Sequence, residues 1–328
     1  MRKIKIAQIG IGHDHAGVVL MSLRKQTDIF EVVGVHIPEN EKKYIERESE
    51  KIKDLPLLTL EEILDNPEIE AVTIETEELS LSKYAILAFE KGKHVHMDKP
   101  GGAELCDFEK LIETARKNKL VFHTGYMYRY NPELLKIKED IKNGVFGEIY
   151  SVEAQMSGIF PQTSDKCQWL EQFKGGMMFF LGCHLIDAVI GIMGLPERVV
   201  PFNKCTGIDG VTSTDYGMAV LEYKNGVSFV KTCAQETFGF SRRNIVICGS
   251  KKTIEIRPIE RYEADGMHAY VTEFENNDPT TRRSDAFDRY ASMMSSFAAM
   301  ARGEKENPYT YDYELDVYKT VLKACGVN

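Results

Sequence analysis

The sequence predicts an α/β N-terminal domain with a doubly wound parallel sheet, followed by an α+β domain with a large, mostly antiparallel open sheet. Three observations carry this. Up to about residue 125, short β-rich runs alternate with amphipathic helical stretches, the pattern of parallel strands with helices on both faces. Beyond residue 145, strand-like runs follow one another and carry hairpin signals at "YKNGV" (223–227) and "CGSKKT" (248–253). Finally, a chain of 328 residues that is 43% hydrophobic exceeds one comfortable core.

Taken in order, the first domain pairs "KIKIAQIG" with "HAGVVLMSLRKQ", "FEVVGVH" with "ENEKKYIERES", "EAVTIET" with "SLSKYAILAFEKGK", and "HVHMD" with "ELCDFEKLIETARKNK", then closes on "LVFHTG". A helix at "NPELLKIKEDIKNG" marks the junction, with Asn131 as cap, Pro132 in the first turn and Gly144 at the end. Strands follow at "FGEIYSVEAQMSG", "ERVVPFNKCTG", "TDYGMAVLEYKNGVSFVKTCAQE", "RRNIVICGSKKTIEIRP" and "HAYVTEFE". Residues 175–194 read as a buried helix, and "DAFDRYASMMSSFAAMARG" and "DYELDVYKTVLKACG" as the last two helices. The expected domains are 1–125, 126–310, and a C-terminal helix at 311–328 packing back near the first domain.

Composition excludes several function classes. The net charge is −9, from 50 acidic and 41 basic residues, and no Lys/Arg run has the density of a nucleic-acid or anionic-membrane surface. Seven cysteines are scattered without a CxxC pair, which argues against a disulfide framework or a zinc cluster and for reduced thiols in the cytoplasm. The apolar run at the N-terminus is broken by Gln8 and the glycines, so it reads as a strand and not as a signal or membrane span.

Gly10 and Gly12 stand directly after one strand and before a helix. That is the frame in which backbone N–H groups approach a dinucleotide pyrophosphate. His15 replaces the third glycine of the usual fingerprint. The second strand ends on His36 where a ribose-binding acid is usual; Glu39 is positioned to reach back, while Lys42 and Lys43 favour a 2′-phosphate, so NAD and NADP both stay open. No metal is expected. His13, Asp14 and His15 are ligand types, but no second cluster supplies the remaining ligands at a suggestive spacing, and His94 and His96 on one strand face read as hydrogen-bonded structure. Lys99, at the C-terminal edge of a parallel strand and before Pro100, lies where α/β sheets place ligands, and a cation there polarises a carbonyl.

With the glycine turn, "GKHVHMDKP", "GYMYRYNP", "GVFGEIYSVEA" and "GGMMFFLGCHLID" in hand, nearly the whole chain resembles the glucose-fructose oxidoreductase, inositol dehydrogenase and rhizopine-catabolism (Gfo/Idh/MocA) family. The resemblance implies a Rossmann domain binding NAD or NADP, a second domain on an open sheet, and hydride transfer at a hydroxyl or carbonyl of a sugar or polyol. It matches Asp98-Lys99-Pro100 to the family's Glu-Lys-Pro, whose acid touches the nicotinamide ribose, whose Lys is catalytic and whose Lys-Pro peptide is often cis. His184 matches the catalytic histidine, Arg129 and Asn131 match a segment beside cofactor and substrate, and Thr76-Glu77-Glu78 with Leu81 stands where the family commonly has Thr-Pro-Asn followed shortly by His. Phe180 replaces the family's acid four residues before that histidine.

Cofactor contacts are therefore expected from Gly10, Gly12, His13, His15, His36, Thr76, Asp98, Lys99, Pro100 and Arg129. Catalysis is expected from Lys99, His184 and Asp187, the last fixing the imidazole tautomer, with Phe180, His184 and Asp187 along one helix face. Substrate contacts are expected from Lys99, Tyr126, Asn131, Trp169 and His184. Two other readings stand beside this one: a cofactor- or sugar-sensing binding protein of the same fold, and a lyase or glycosidase with tightly held NAD. An open sheet with an apolar outer face favours a homodimer or homotetramer.

Overall fold

The computed structural model describes residues 2–102, 104–158, 165–275 and 278–327. Its contacts divide the chain into two units. One runs to Met127 and adds Arg289–Leu315; the other holds Tyr128–Asp288 and resumes at Asp316.

The first unit alternates as expected: β1 (Ile4–Ile9), α1 (Ala16–Lys25), β2 (Phe30–His36), α2 (Ile45–Ile52), α3 (Leu60–Leu64), β3 (Ala71–Ile74), α4 (Leu81–Glu90), β4 (His94–Met97), α5 (Leu105–Asn118) and β5 (Phe122–Thr124). The five strands form a wholly parallel sheet in the order β2-β1-β3-β4-β5. Every residue of β3 is buried, as are five of six in β1, which suits strands covered on both faces. The chain leaves β1 towards β2 on one side and β3 on the other. The crevice between the carboxyl ends of β1 and β3 is therefore the switch point where such sheets bind ligands. Gly10 ends β1 on this edge, and Glu75 and Thr76 follow β3.

The second unit opens with α6 (Pro132–Lys142), whose first turn is closed by Asn131: its Oδ1 accepts from the N–H groups of Glu133 (3.0 Å) and Leu134 (3.2 Å). Then come β6 (Ile149–Gln155), α7 (Asp165–Trp169), α8 (Cys183–Met193), β7 (Arg198–Pro201), β8 (Tyr216–Tyr223), β9 (Gly226–Cys233), β10 (Asn244–Gly249), β11 (Thr253–Ile256), β12 (Arg261–Glu263), β13 (Gly266–His268), β14 (Tyr270–Glu275) and β15 (Asp278–Arg283). Eight of these strands make one sheet, β15-β14-β11-β10-β6-β9-β8-β7, antiparallel except for the β6–β9 pair. Both predicted hairpins are present, β8–β9 and β10–β11. The greasy segment differs from a plain helix. A π-helical turn, Met178–Gly182, precedes α8, which packs on β6 and β9.

Two helices end the chain, α9 (Ala291–Ala301) and α10 (Tyr311–Ala324). Residues 289–310, expected in the second domain, cluster with the first. The reason is ring packing: Phe297 of α9 meets His123 (5.3 Å between ring centres) and His96 (6.0 Å) at tilted angles. The start of α10 is tied to the same unit, Tyr311 donating to the Leu120 carbonyl (2.6 Å), while residues from Asp316 onward cluster with the second.

One glycine fixes the switch point. Gly10 has φ +93°, and a Cβ there would stand 2.5 Å from the Thr76 backbone nitrogen. Gly10→Ala is expected to lower unfolding free energy by about 2 kcal/mol or more, combining backbone strain with a clash against backbone. Urea denaturation checks this; an unchanged midpoint would show that β1 and β3 need not approach so closely.

Candidate active site

The glycine turn is held by a residue the sequence reading passed over. Glu41 is fully buried, and its Oε2 accepts the N–H groups of Ile11 (2.7 Å) and Gly12 (2.8 Å) while Oε1 accepts that of Glu77 (2.7 Å). One carboxylate thus joins the turn after β1 to the segment after β3. Burial pushes its pKa up, and the three amides oppose that by favouring the charged form. Gly12 cannot be replaced at this approach, since a Cβ would lie 2.7 Å from the Glu77 backbone nitrogen and 2.8 Å from the Glu41 carboxyl carbon.

Glu41 reaches back because a short 3-10 turn, Glu39–Tyr44, follows β2 and folds towards Gly12. His36, at the strand end, instead hydrogen-bonds the Leu58 carbonyl through Nδ1 (3.0 Å). Lys42 pairs with Glu39 (2.7 Å) and Lys43 with Glu77 (2.7 Å). Thr76 is buried, its hydroxyl donating to the Glu77 carbonyl (3.3 Å) and its methyl filling the space left by Gly10.

Below the turn, the end of β4 presents Asp98 and Lys99, both buried, and the Lys99–Pro100 peptide is cis. The Asp98 carboxylate accepts the Lys99 N–H (2.7 Å) and lies 3.0 Å from His15 Nδ1; despite burial, the hydrogen bond with His15 and the positive charge of Lys99 help hold its pKa well below the usual range. His13 Nδ1 accepts the backbone N–H of His15 (3.0 Å), so Nε2 carries the proton and donates to the Lys99 carbonyl (3.1 Å). Burial lowers the His13 pKa to about 3, keeping the ring neutral. Burial also lifts Glu78 to about 8.

In the second unit, Arg129 and Asp187 hold each other. Arg129 Nε lies 3.0 Å from Oδ1 and its Nη2 2.7 Å from the same oxygen, with both residues about 2% exposed. The sequence reading placed Arg129 at the cofactor and Asp187 beside the imidazole; the structure brings them together 58 residues apart. His184 is buried, with its ring 5.8 Å from that of Tyr128. Phe180 lies in the π-helical turn, which breaks the simple four-residue spacing to His184. Its ring meets Trp169 edge-on at 4.9 Å and stacks parallel to Phe173. Trp169 therefore belongs to an aromatic cluster. Asn131 spends Oδ1 on the α6 cap and keeps Nδ2 buried with no hydrogen-bond partner among the described residues. Tyr126 is buried in the first unit, just past β5.

Comparison with known proteins agrees with this architecture. Residues 4–126 match the model of the oxidoreductase family with the NAD-binding Rossmann fold, and residues 134–255 match the GFO/IDH/MocA C-terminal domain. The chain belongs to the Gfo/Idh/MocA oxidoreductase family. Among its relatives, the Escherichia coli oxidoreductase YdgJ is 30% identical over 53% of this chain and 51% of its own length. Myo-inositol 2-dehydrogenase of Thermotoga maritima is 24% identical over 59% of this chain and 58% of its own. The matches thus span about half the length of these relatives. KijD10, a 3-ketoreductase from Actinomadura kijaniata solved with NADP and TDP-benzene, superposes with a TM-score of 0.81 at 18% identity, covering 98% of this chain and 96% of that one. Among the described residues no helix is long and apolar enough to cross a membrane.

The family implies a nicotinamide cofactor, and the turn has the features one needs. Gly10 and Gly12 leave no room for a side chain, and a buried carboxylate, Glu41, stands in the connection that follows β2.

Asp187→Ala is expected to cost about 3–5 kcal/mol, because it strands a buried guanidinium. Thermal and urea unfolding measure this; a loss under 1 kcal/mol would mean that Arg129 is hydrated or otherwise neutralised.

Proposed function

We propose that this protein is a nicotinamide-dependent dehydrogenase or reductase acting on a hydroxyl or carbonyl of a sugar, polyol or related small molecule, with NAD preferred over NADP. The observation that carries the reading is the fully buried Lys99 at the end of β4, fixed beside Asp98 and hydrogen-bonded through its carbonyl to the glycine-turn histidine. Bound nicotinamide supplies the hydride acceptor. The protein's own part is charge and proton management. Lys99 stabilises the oxyanion that develops as the substrate hydroxyl loses its proton, a contribution typically about 3–4 kcal/mol for one well-placed donor. The family resemblance assigns the role of proton acceptor to His184, a buried imidazole of the second unit. Asp98 and Pro100 hold the cofactor's ribose side of the first unit.

The preference for NAD follows from charge. The Glu41 carboxylate beside the glycine turn repels a 2′-phosphate, and the lysines that would welcome that phosphate are already paired to Glu39 and Glu77. Association into a homodimer or homotetramer through the outer face of the eight-stranded sheet, and a cytoplasmic location, complete the proposal.

Two substitutions test it. Lys99→Met and His184→Ala should each lower turnover on a polyol panel at least a hundredfold, with cofactor affinity within threefold of wild type. Unchanged turnover removes the substituted residue from the mechanism, and cofactor binding without turnover of any panel member in the wild type favours a sensing protein. Separately, Glu41→Ala should weaken NADH binding at least tenfold, about 1.4 kcal/mol, and abolish discrimination against NADPH. A variant that keeps both affinities would show that Glu41 only supports the turn.

A further inference from the structure

Beneath the glycine turn two carboxyl groups face each other out of water: Glu75, just after β3, and Asp98, just after β4. Both are 0% exposed, and a carboxyl oxygen of each lies within 4.8 Å of the other and of a His96 ring nitrogen. We propose that Glu75 is a neutral carboxylic acid whose hydroxyl donates to Asp98, which makes it the positioning residue that keeps Asp98 charged and fixed for the cofactor. Where the proton sits depends on the first unit alone; the part that concerns the cofactor rests on the nicotinamide reading above.

The donors around the pair decide which acid holds the proton. Asp98 accepts the Lys99 N–H (2.7 Å) and lies 3.0 Å from His15 Nδ1. Neither oxygen of Glu75 meets a hydrogen-bond donor among the described residues. The ring nitrogens that face it stand too far off, His96 Nε2 at 3.7 Å from Oε1 and His13 Nδ1 at 3.9 Å from Oε2. His13 also has no proton to give on that side, because its Nδ1 accepts the His15 N–H (3.0 Å). An ionised Glu75 would be a buried charge without solvation, whereas the neutral acid shares a hydrogen bond with Asp98.

Charge balance points the same way. Facing Glu75 are His13 from the turn after β1, Glu41 from the turn after β2, and His96, Asp98 and Lys99 at the end of β4. Glu78, from its own segment, lies 3.6 Å from the far nitrogen of His13. Burial keeps both imidazoles neutral, lowering His13 to about 3 and His96 to about 4. Burial also opposes a charge on Glu75 more than any neighbour does; Asp98 and Glu41 add to that, and Lys99 works against it. Glu75 is thus driven well above the ordinary carboxyl range and Asp98 well below it, the mark of two carboxyls sharing one proton.

That proton does two things for Asp98. It removes a like charge from the neighbouring strand end, and it adds a donor to those of Lys99 and His15, so the carboxylate is anchored from three segments of the chain. An anion fixed in this way accepts a ribose hydroxyl without rearranging. The proton also links stability to pH. Because the native pKa of Glu75 lies above the 4.5 of an ordinary glutamate, the native protein keeps a proton that the unfolded chain has already lost. The contribution to stability is full below pH 4.5 and falls as pH rises towards the native value. Glutamine keeps the donor and cannot ionise, so it removes that fall.

The test compares the full chain with Glu75→Gln by infrared difference spectroscopy at neutral pH without cofactor. The wild type minus Glu75→Gln spectrum should show a carboxylic acid carbonyl band that shifts in deuterium oxide. Carboxylate bands in its place overturn the proposal, as does a Glu75→Gln chain that fails to fold, since the amide offers the same donor in the same volume. Melting across a pH series gives a second reading: the wild-type Tm should fall relative to that of Glu75→Gln as pH rises above 4.5, and parallel curves contradict the shared proton. The positioning role is read by NADH titration. Glu75→Gln should bind within threefold of wild type, and Glu75→Met, of similar length but without a donor, at least tenfold more weakly; equal affinities in the two variants overturn that role. A wild type that binds no nucleotide sinks the nicotinamide reading and the positioning role with it, while the infrared spectrum still decides where the proton sits.

Discussion

The first unit depends on one carboxylate holding three backbone amides. Glu41 ties the N–H groups of Ile11 and Gly12 to that of Glu77, so the turns after β1 and β3 are locked across the switch point of the sheet. Hydrogen bonds to a charged acceptor contribute about 1.5–3 kcal/mol each, and three on one group offset part of the desolvation that pushes its pKa up. The missing side chains of Gly10 and Gly12 make the approach possible, and Glu41 makes it permanent. Everything proposed for cofactor recognition follows from having a fixed negative group at this place.

The neighbouring buried polar groups depend on the same approach. With β1 and β3 drawn together, His13 lies over the end of β4, close enough to bond the Lys99 carbonyl while facing Glu75 and Asp98 with its other nitrogen. Such a concentration of buried ionisable groups is expensive unless charge is shared, by a proton or a lysine, and it marks the region as functional more clearly than any single residue does.

What could be read from the sequence divides by distance along the chain. Gly10 and Gly12, Asp98-Lys99-Pro100 and the cap at Asn131 are short local patterns, each with a backbone reason for its spacing, and the alternation of strand and helix follows from local periodicity. Glu41 escaped notice because it is five residues beyond the end of β2, and only the 3-10 turn at Glu39–Tyr44 carries it back. The Arg129–Asp187 pair joins a short turn to a helix 58 residues later, a relation that no local pattern encodes. The π-helical turn at Met178–Gly182 shifts Phe180 out of simple register with His184, and apolar periodicity does not report it when every neighbour is also apolar. The position of α9 was likewise decided by packing of Phe297 on two histidines of the sheet.

The central claim is that the first unit is an NAD site whose selectivity is set by the carboxylate locked onto the glycine turn. The most direct measurement is calorimetric or fluorescence titration of the full chain with NAD, NADH, NADP and NADPH under one set of conditions. The account predicts one nucleotide per chain, with NADH bound at least tenfold more tightly than NADPH. Failure to bind any of the four, or a preference for NADPH, would contradict it.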